Sequence, residues 1–98
     1  MYTIDAIKEK ITPICKQYMV KKVFLFGSYA RGDAKEGSDI DIRIEAGNIE
    51  DLFTLSSFRQ DIIAALGIEV DIISASITSL DTPLRKNLES EEILLYAA

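Results

Sequence analysis

Three aspartates in strand-like segments suggest the chemistry of this chain. Asp39 and Asp41 open a strictly alternating run of polar and apolar residues, 39–44, and this pattern is typical of a strand with one buried face. Their carboxylates would project from the same face, on Cα atoms about 6.6 Å apart, because each strand step is about 3.3 Å. Carboxylates that close repel each other, and a divalent cation would turn the repulsion into attraction.

Asp71 adds a third carboxylate within another short apolar segment, 70–73. Paired metal ions in phosphoryl-transfer sites lie about 3.5–4 Å apart, and carboxylates from two strands could hold such a pair. The chain contains no histidine, so a metal site must use oxygen ligands, which suit Mg²⁺, Mn²⁺ or Ca²⁺. We therefore predict Asp39, Asp41 and Asp71 as catalytic residues and metal ligands, with two Mg²⁺ ions expected and Mn²⁺ as the alternative.

Gly27 and Ser28 follow a continuous apolar run, 23–26, and open a polar loop that extends to Ser38. Glycine allows a backbone to approach a phosphate closely, and a helix starting at Ser28 would present free N–H groups to phosphate oxygens. The loop matches neither the Walker A pattern nor the G-x-G-x-x-G pattern. We predict that Gly27, Ser28, Arg31 and Ser38 bind a nucleotide.

Three of the polar residues around this site leave alternatives open. Arg31 could contact phosphate or form an ion pair with Asp33 or Asp5. Ser38 could orient a metal ligand or cap a turn. Arg43 shares the strand face of Asp39 and Asp41, so it could pair with Glu69 or Asp71, or contact phosphate.

The elements that position these residues read as an α/β domain spanning residues 1–98, with helices packed on a small mixed sheet. Strands are predicted at 23–26, 39–44 and 70–73, and residues 91–96 fit either a helical turn or a strand.

Apolar residues at helical spacing predict a helix from about residue 4 to 18, capped by Thr3, and a second over about 49–66 that ends at Gly67. Pro13 predicts a kink or break in the first helix. A third helix is predicted over 82–88, with Thr82 as cap and Pro83 at its first position. Tyr29 to Arg31 fit a short helix, and the stripe from Leu52 to Leu66 is predicted to be core.

Composition excludes several classes of function. Without histidine there is no serine-hydrolase triad and no ordinary zinc site. Cys15 is the only cysteine, so no intramolecular disulfide forms, and we expect a buried apolar side chain in a reducing, cytoplasmic protein. Sixteen acidic against eleven basic residues give a net charge of −5, which disfavours duplex nucleic acid as a partner. No apolar run is long enough to cross a membrane, and residues 1–10 lack a signal peptide's apolar stretch.

The spacing of these motifs resembles that of a known family. Gly27-Ser28, ten further residues and then Asp39-x-Asp41 are similar to the G-S-x10-D-x-D signature of polymerase-β-type nucleotidyltransferases. More narrowly, the stretches 26–34 and 37–41, together with Val70-Asp71 and 83–85, resemble the minimal nucleotidyltransferase (MNT) proteins over nearly the whole chain. The resemblance implies a polymerase-β-like fold, metal binding by the three aspartates and triphosphate binding by Gly27 and Ser28.

What the resemblance implies about function goes further. MNT proteins are commonly paired with a helical HEPN ribonuclease toxin, which they neutralise, in some cases by transferring AMP to a tyrosine on it. We therefore expect a Mg²⁺-dependent nucleotidyltransferase that uses ATP to modify a hydroxyl of a HEPN partner. Two alternatives stay open: an antitoxin that silences its partner by binding alone, and an enzyme that modifies a small molecule such as an aminoglycoside.

Overall fold

The four strands that the structure describes form one sheet, and helices lie between them in the sequence. The computed structural model describes residues 2–45, 47, 49, 51–74, 83, 86 and 90–98. In chain order its elements are α1 (Ile4–Tyr18), β1 (Lys22–Phe26), α2 (Gly27–Arg31), β2 (Ile40–Glu45), α3 (Leu52–Leu66), β3 (Val70–Ser74) and β4 (Ile93–Ala97). The predicted α/β fold is confirmed, and the ambiguous segment 91–96 is resolved, because Glu91 is helical and the strand begins at Ile93.

The sheet is mixed, with the strand order β3-β2-β1-β4. β1 runs antiparallel to β2 and to β4, whereas β2 and β3 are parallel. Parallel neighbours need a crossover connection, and α3 supplies it between β2 and β3. This β2-α3-β3 unit brings equivalent ends of two aspartate-bearing strands to the same edge of the sheet.

One face of the sheet carries the apolar core, against which α1 and α3 pack. Ile40, Ile42 and Ile44 of β2 are fully buried there, as their alternation predicts. The two helices contribute further members of this cluster, namely Ile7, Ile11 and Cys15 from α1 and Phe58, Ile62 and Leu66 from α3. Burial raises the pKa of Cys15 to about 12, so its thiol stays protonated at neutral pH. Cys15 is thus a core side chain, as predicted.

The helix ends follow local sequence signals, with one exception at Pro13. The Thr3 hydroxyl accepts the Ala6 N–H at 3.1 Å, and Gly67 ends α3 in a left-handed conformation, so both predicted caps are confirmed. Of the kink or break predicted at Pro13, the break is wrong, since α1 continues through it. Pro13 is exposed, so water can solvate the carbonyl that it leaves without an N–H partner, while the buried face of α1 keeps its packing on the sheet.

Leu52 is the second point on which the sequence prediction is wrong. The Leu52–Leu66 stripe is core only from Leu55 onward, because Leu52 and its neighbour Phe53 are 82% and 88% exposed. They occupy the first turn of α3, after the Asp51 cap, and this turn lies outside the contact with the sheet.

Of the helix predicted over 82–88, the structure describes Pro83 and Lys86, both helical; the rest, including Thr82, Leu84 and Arg85, lies outside the described residues. Within the described parts of the chain, no helix has the length and apolar character to span a membrane.

Candidate functional site

Asp41 and Asp71 lie side by side at one end of the sheet. They are register partners in the parallel β2–β3 pair, so their Cα atoms are about 4.8 Å apart, the spacing of neighbouring strands. Asp41 is half-buried, whereas Asp71 and Asp39 are exposed, and Asp39 directly precedes β2. The structure therefore brings Asp41 and Asp71 into one pair, with Asp39 at its outer edge.

The pKa of the Asp41 carboxyl is raised above its ordinary value. The largest cause is burial, followed by the negative charges of Asp71 and Asp39 and a hydrogen bond with Asp71. The positive charge of Arg31 acts in the opposite direction. Like charges are thus crowded on the polar face of β2, and a bound cation would relieve that crowding.

Gly27 brings the start of α2 into contact with this carboxylate. The φ angle of Gly27 is +72°. A Cβ built at this position would collide with the Asp41 carboxylate, since it would lie only 3.2 Å from the Cγ of Asp41. A side chain at position 27 would therefore displace the Asp41 carboxylate as well as strain the backbone. The glycine that the sequence predicted as a phosphate contact is in the structure also the residue against which Asp41 packs.

The short helix predicted at 29–31 begins earlier, at Gly27, and Ser28 is half-buried in its first turn. The residue before α2, Phe26, gives no side-chain hydrogen bond to the helix. The first N–H groups of α2 therefore have no side-chain cap from that position, which suits a helix start that meets an anion.

Arg31 and Ser38 make contacts within the protein. Arg31 donates from Nε to Asp33 at 3.2 Å and from Nη1 to Glu91 at 3.3 Å. Asp33 is one of the two ion-pair partners predicted for Arg31, whereas Glu91 was not predicted. The Ser38 hydroxyl accepts the Lys35 N–H at 2.9 Å, and the Ser38 N–H donates to the Lys35 carbonyl. Ser38 thus closes a turn directly before Asp39.

Arg43 is buried on the same face, two residues beyond Asp41, with 2% of its surface exposed. It forms a bidentate pair with Glu92, in which Nη2 donates to Oε1 at 3.0 Å and Nε to Oε2. Glu45 lies 3.6 Å from Nη1, and the guanidinium stacks 4.4 Å from the centre of the Phe24 ring. The partners predicted for Arg43 were Glu69 or Asp71; the structure gives Glu92 and Glu45, while Glu69 pairs with Arg59.

The carboxylates at this edge fit a divalent cation in their chemistry. Hard cations prefer carboxylate oxygens, and the pKa of Asp41 is raised by burial and then by the neighbouring charges of Asp71 and Asp39. Among the described residues, however, no group of three or more acidic or cysteine side chains lies close enough to hold a metal. Mg²⁺ in phosphate-processing sites commonly uses one or two carboxylates plus substrate phosphates, and the Asp41–Asp71 pair can supply that share.

Comparison with known proteins decides the family. The family model described as polymerase beta, nucleotidyltransferase, matches residues 9–98. This chain belongs to the polymerase-β nucleotidyltransferase family. The resemblance predicted from the Gly-Ser and Asp-x-Asp motifs is thereby confirmed, and so is the predicted activity class, a nucleotidyltransferase.

Relatives of this nucleotidyltransferase carry more specific names. A Methanocaldococcus jannaschii protein named as a candidate protein adenylyltransferase is 44% identical over 71 residues, 72% of this chain and 76% of the relative. The protein adenylyltransferase MntA of Thermococcus cleftensis is 32% identical over 97 residues, 95% of this chain and 96% of the relative. A crystal structure of a toxin–antitoxin with AMP-PNP superposes with a TM-score of 0.74 at 26% identity, over 93% of this chain and 73% of that chain.

Proposed function

We propose that this nucleotidyltransferase moves AMP from ATP to a hydroxyl of a partner protein, with Mg²⁺ as the metal. The observation that carries the proposal is the position of Asp41, between the register partner Asp71 and Gly27, the first residue of α2. A carboxylate pair thus lies beside the helix start at which we propose that phosphate binds. The MntA relative named as a protein adenylyltransferase and the toxin–antitoxin structure with AMP-PNP support adenine nucleotide chemistry on a protein.

In the proposed reaction the partner's hydroxyl oxygen attacks the α-phosphorus of ATP. A new O–P bond forms, the bond from the α-phosphorus to the bridging oxygen of the β-phosphate breaks, and pyrophosphate leaves. Asp71 accepts the hydroxyl proton, since its carboxylate is exposed to an approaching partner and lies beside Asp41. Gly27, Ser28 and Arg31 hold the triphosphate, and Ser38 fixes the turn that orients Asp39.

Asp39, Asp41 and Asp71 would hold Mg²⁺, two ions in the full site. When bound, Mg²⁺ supplies positive charge that offsets the charge of the triphosphate and of the reacting oxygens. The fold itself keeps Asp41 against Gly27 and leaves Asp71 exposed to solvent. Arg31, whose charge already acts on Asp41, adds a second cation for the phosphates.

We further propose that the partner is a helical HEPN toxin in the cytoplasm, for which this chain is the antitoxin. The resemblance to MNT proteins and the toxin–antitoxin structure support this assignment. The net charge of −5 disfavours duplex nucleic acid as the acceptor.

Transfer of label from ATP to the co-purified partner tests the proposed chemistry. Label in the α-phosphate should reach the partner, label in the γ-phosphate should not, and EDTA should abolish the transfer. Gly27→Ala should reduce the rate by at least about 100-fold, because small displacements of reacting groups cost that much. Gly32→Ala is the matched control: φ there is +82°, yet nothing lies within 4 Å of its Cβ.

The Gly32→Ala variant carries a comparable backbone strain of about 1–2 kcal/mol but should keep its transfer rate within about tenfold. Equal losses in the two folded variants would contradict the role given to the Gly27–Asp41 contact. Transfer of γ-label would contradict nucleotidyl transfer itself.

A second candidate is an antitoxin that silences its partner by binding, without chemistry. The observation in its favour is that the described residues do not form a group of three potential metal ligands. Neutralisation of the partner by a folded Asp39→Asn/Asp41→Asn variant separates the two candidates. Neutralisation that persists in that variant supports binding alone, and neutralisation that is lost supports catalysis.

A further inference from the structure

Arg31 is engaged by two carboxylates of the protein itself. Asp33 accepts from Nε and Glu91 accepts from Nη1. A phosphate bound in bidentate fashion uses two adjacent nitrogens of the guanidinium. The two guanidinium edges that can bind phosphate are Nε with Nη2 and Nη1 with Nη2. Asp33 occupies Nε of the first edge and Glu91 occupies Nη1 of the second, so a triphosphate must compete with a carboxylate at either edge.

The two carboxylates differ in how they are attached to the fold. Asp33 is two residues from Arg31 and moves with it. Glu91 comes from the segment before β4, sixty residues away along the chain. Its neighbour Glu92 is fixed by the bidentate pair with buried Arg43, and this anchor holds the backbone of Glu91 opposite Arg31.

Arg31 also lies within electrostatic range of Asp41, one of the proposed metal ligands. It is the last residue of α2, whose first residue, Gly27, contacts Asp41. Its positive charge lowers the pKa of Asp41, against the effect of burial. The same guanidinium therefore acts electrostatically on Asp41 while it is paired with Glu91, a carboxylate from another part of the fold.

We propose that Glu91 competes with the triphosphate of the nucleotide for Arg31 and thereby sets the affinity of the site for ATP. The inference rests on the proposed function, in which Arg31 binds phosphate. Neutralising Glu91 frees one nitrogen of Arg31 without moving the backbone, so ATP binds more tightly. The gain is about two- to fivefold in Kd, the range that exposed ion pairs account for.

Calorimetric titration of the wild-type protein and its variants with Mg²⁺–ATP and with adenosine tests this competition. Glu91→Gln should lower the Kd for ATP about two- to fivefold and leave adenosine binding unchanged, because adenosine has no phosphate. Glu9→Gln on the exposed side of α1 removes the same charge and should leave both affinities unchanged. In an Arg31→Gln background, Glu91→Gln should no longer affect the Kd for ATP.

The outcomes separate this inference from the proposed function. If Arg31→Gln weakens ATP binding while Glu91→Gln leaves it unchanged or weaker, the competition is overturned and the nucleotide site stands. A Glu91→Gln variant that binds ATP less tightly and also melts at a lower temperature would show a structural role and would likewise overturn it. Wild-type protein that fails to bind ATP, or Arg31→Gln that binds as tightly as wild type, would overturn the phosphate role of Arg31 and the inference with it.

Discussion

Two charged side chains on the same face of β2, Asp41 and Arg43, have opposite surroundings. Arg43 is buried and meets opposite charges, a bidentate pair with Glu92 and a longer contact with Glu45. Asp41 is half-buried and meets like charges, since its pKa is raised by burial and then by the charges of Asp71 and Asp39. A charge that the fold satisfies contributes to structure, and a charge that the fold leaves crowded is available to a ligand. The difference favours a structural role for Arg43 and supports the functional role that we propose for Asp41.

The largest effect on stability should come from breaking the satisfied pair. Glu92→Leu removes the bidentate partner of the buried Arg43 charge, and this should lower the free energy of unfolding by about 3 kcal/mol, the lower end for a broken buried ion pair. Urea denaturation at neutral pH measures the change.

The double variant Arg43→Leu/Glu92→Leu is the matched control for that experiment. Removing both charges should restore most of the stability, because an apolar pair of similar volume avoids the desolvation cost. If the double variant is as unstable as the single variant, the pair does not account for the loss, and the contrast with Asp41 fails on its structural side.

A smaller effect of opposite sign is expected at Asp41. Asp41→Asn removes a crowded charge and should raise the free energy of unfolding by no more than about 1 kcal/mol, since the group is partly exposed and screened. Because the pKa of Asp41 is raised in the folded protein, the charge of Asp41 destabilises the wild-type fold fully at pH values above that raised pKa. This destabilisation disappears as the pH falls through the ordinary range of a carboxyl. The difference between wild type and variant should therefore grow as pH rises and then level off.

Unfolding free energies measured over a pH series check this sign. A variant that is less stable than wild type at neutral pH would mean that the Asp41 charge is satisfied after all. A difference that does not change with pH would mean that relief of charge is not its cause.

The part of the site that the sequence predicts is the part encoded locally. The alternation 39–44 places three isoleucines in the core and Asp41 on the polar face, and the capping signals at Thr3 and Gly67 need only neighbouring residues. Pro13 shows where such local rules lose to tertiary packing, because α1 continues through it. Leu52 shows that periodicity alone does not tell where the contact between a helix and the sheet begins.

The ion pairs of Arg31 with Glu91 and of Arg43 with Glu92, which the sequence does not predict, depend on where β4 is placed. Glu91 and Glu92 reach Arg31 and Arg43 across 60 and 49 residues, and the ambiguous segment 91–96 had to be resolved before either pair could be named. No spacing rule relates an acidic pair to arginines so distant in the chain. The predictions that Gly27, Ser28, Arg31 and Ser38 bind nucleotide and that the three aspartates hold metal remain predictions.

Intact-mass spectrometry of the co-purified partner, after incubation with Mg²⁺–ATP, tests the central claim most directly. Wild-type protein should add one or more AMP units to the partner, and Asp39→Asn/Asp41→Asn should leave its mass unchanged. Asp5→Asn/Glu9→Gln, which removes two charges from exposed positions of α1, should modify the partner as wild type does. An unmodified partner with wild-type protein, or equal modification by the folded Asp39→Asn/Asp41→Asn variant, would contradict catalysis at the Asp41–Asp71 edge.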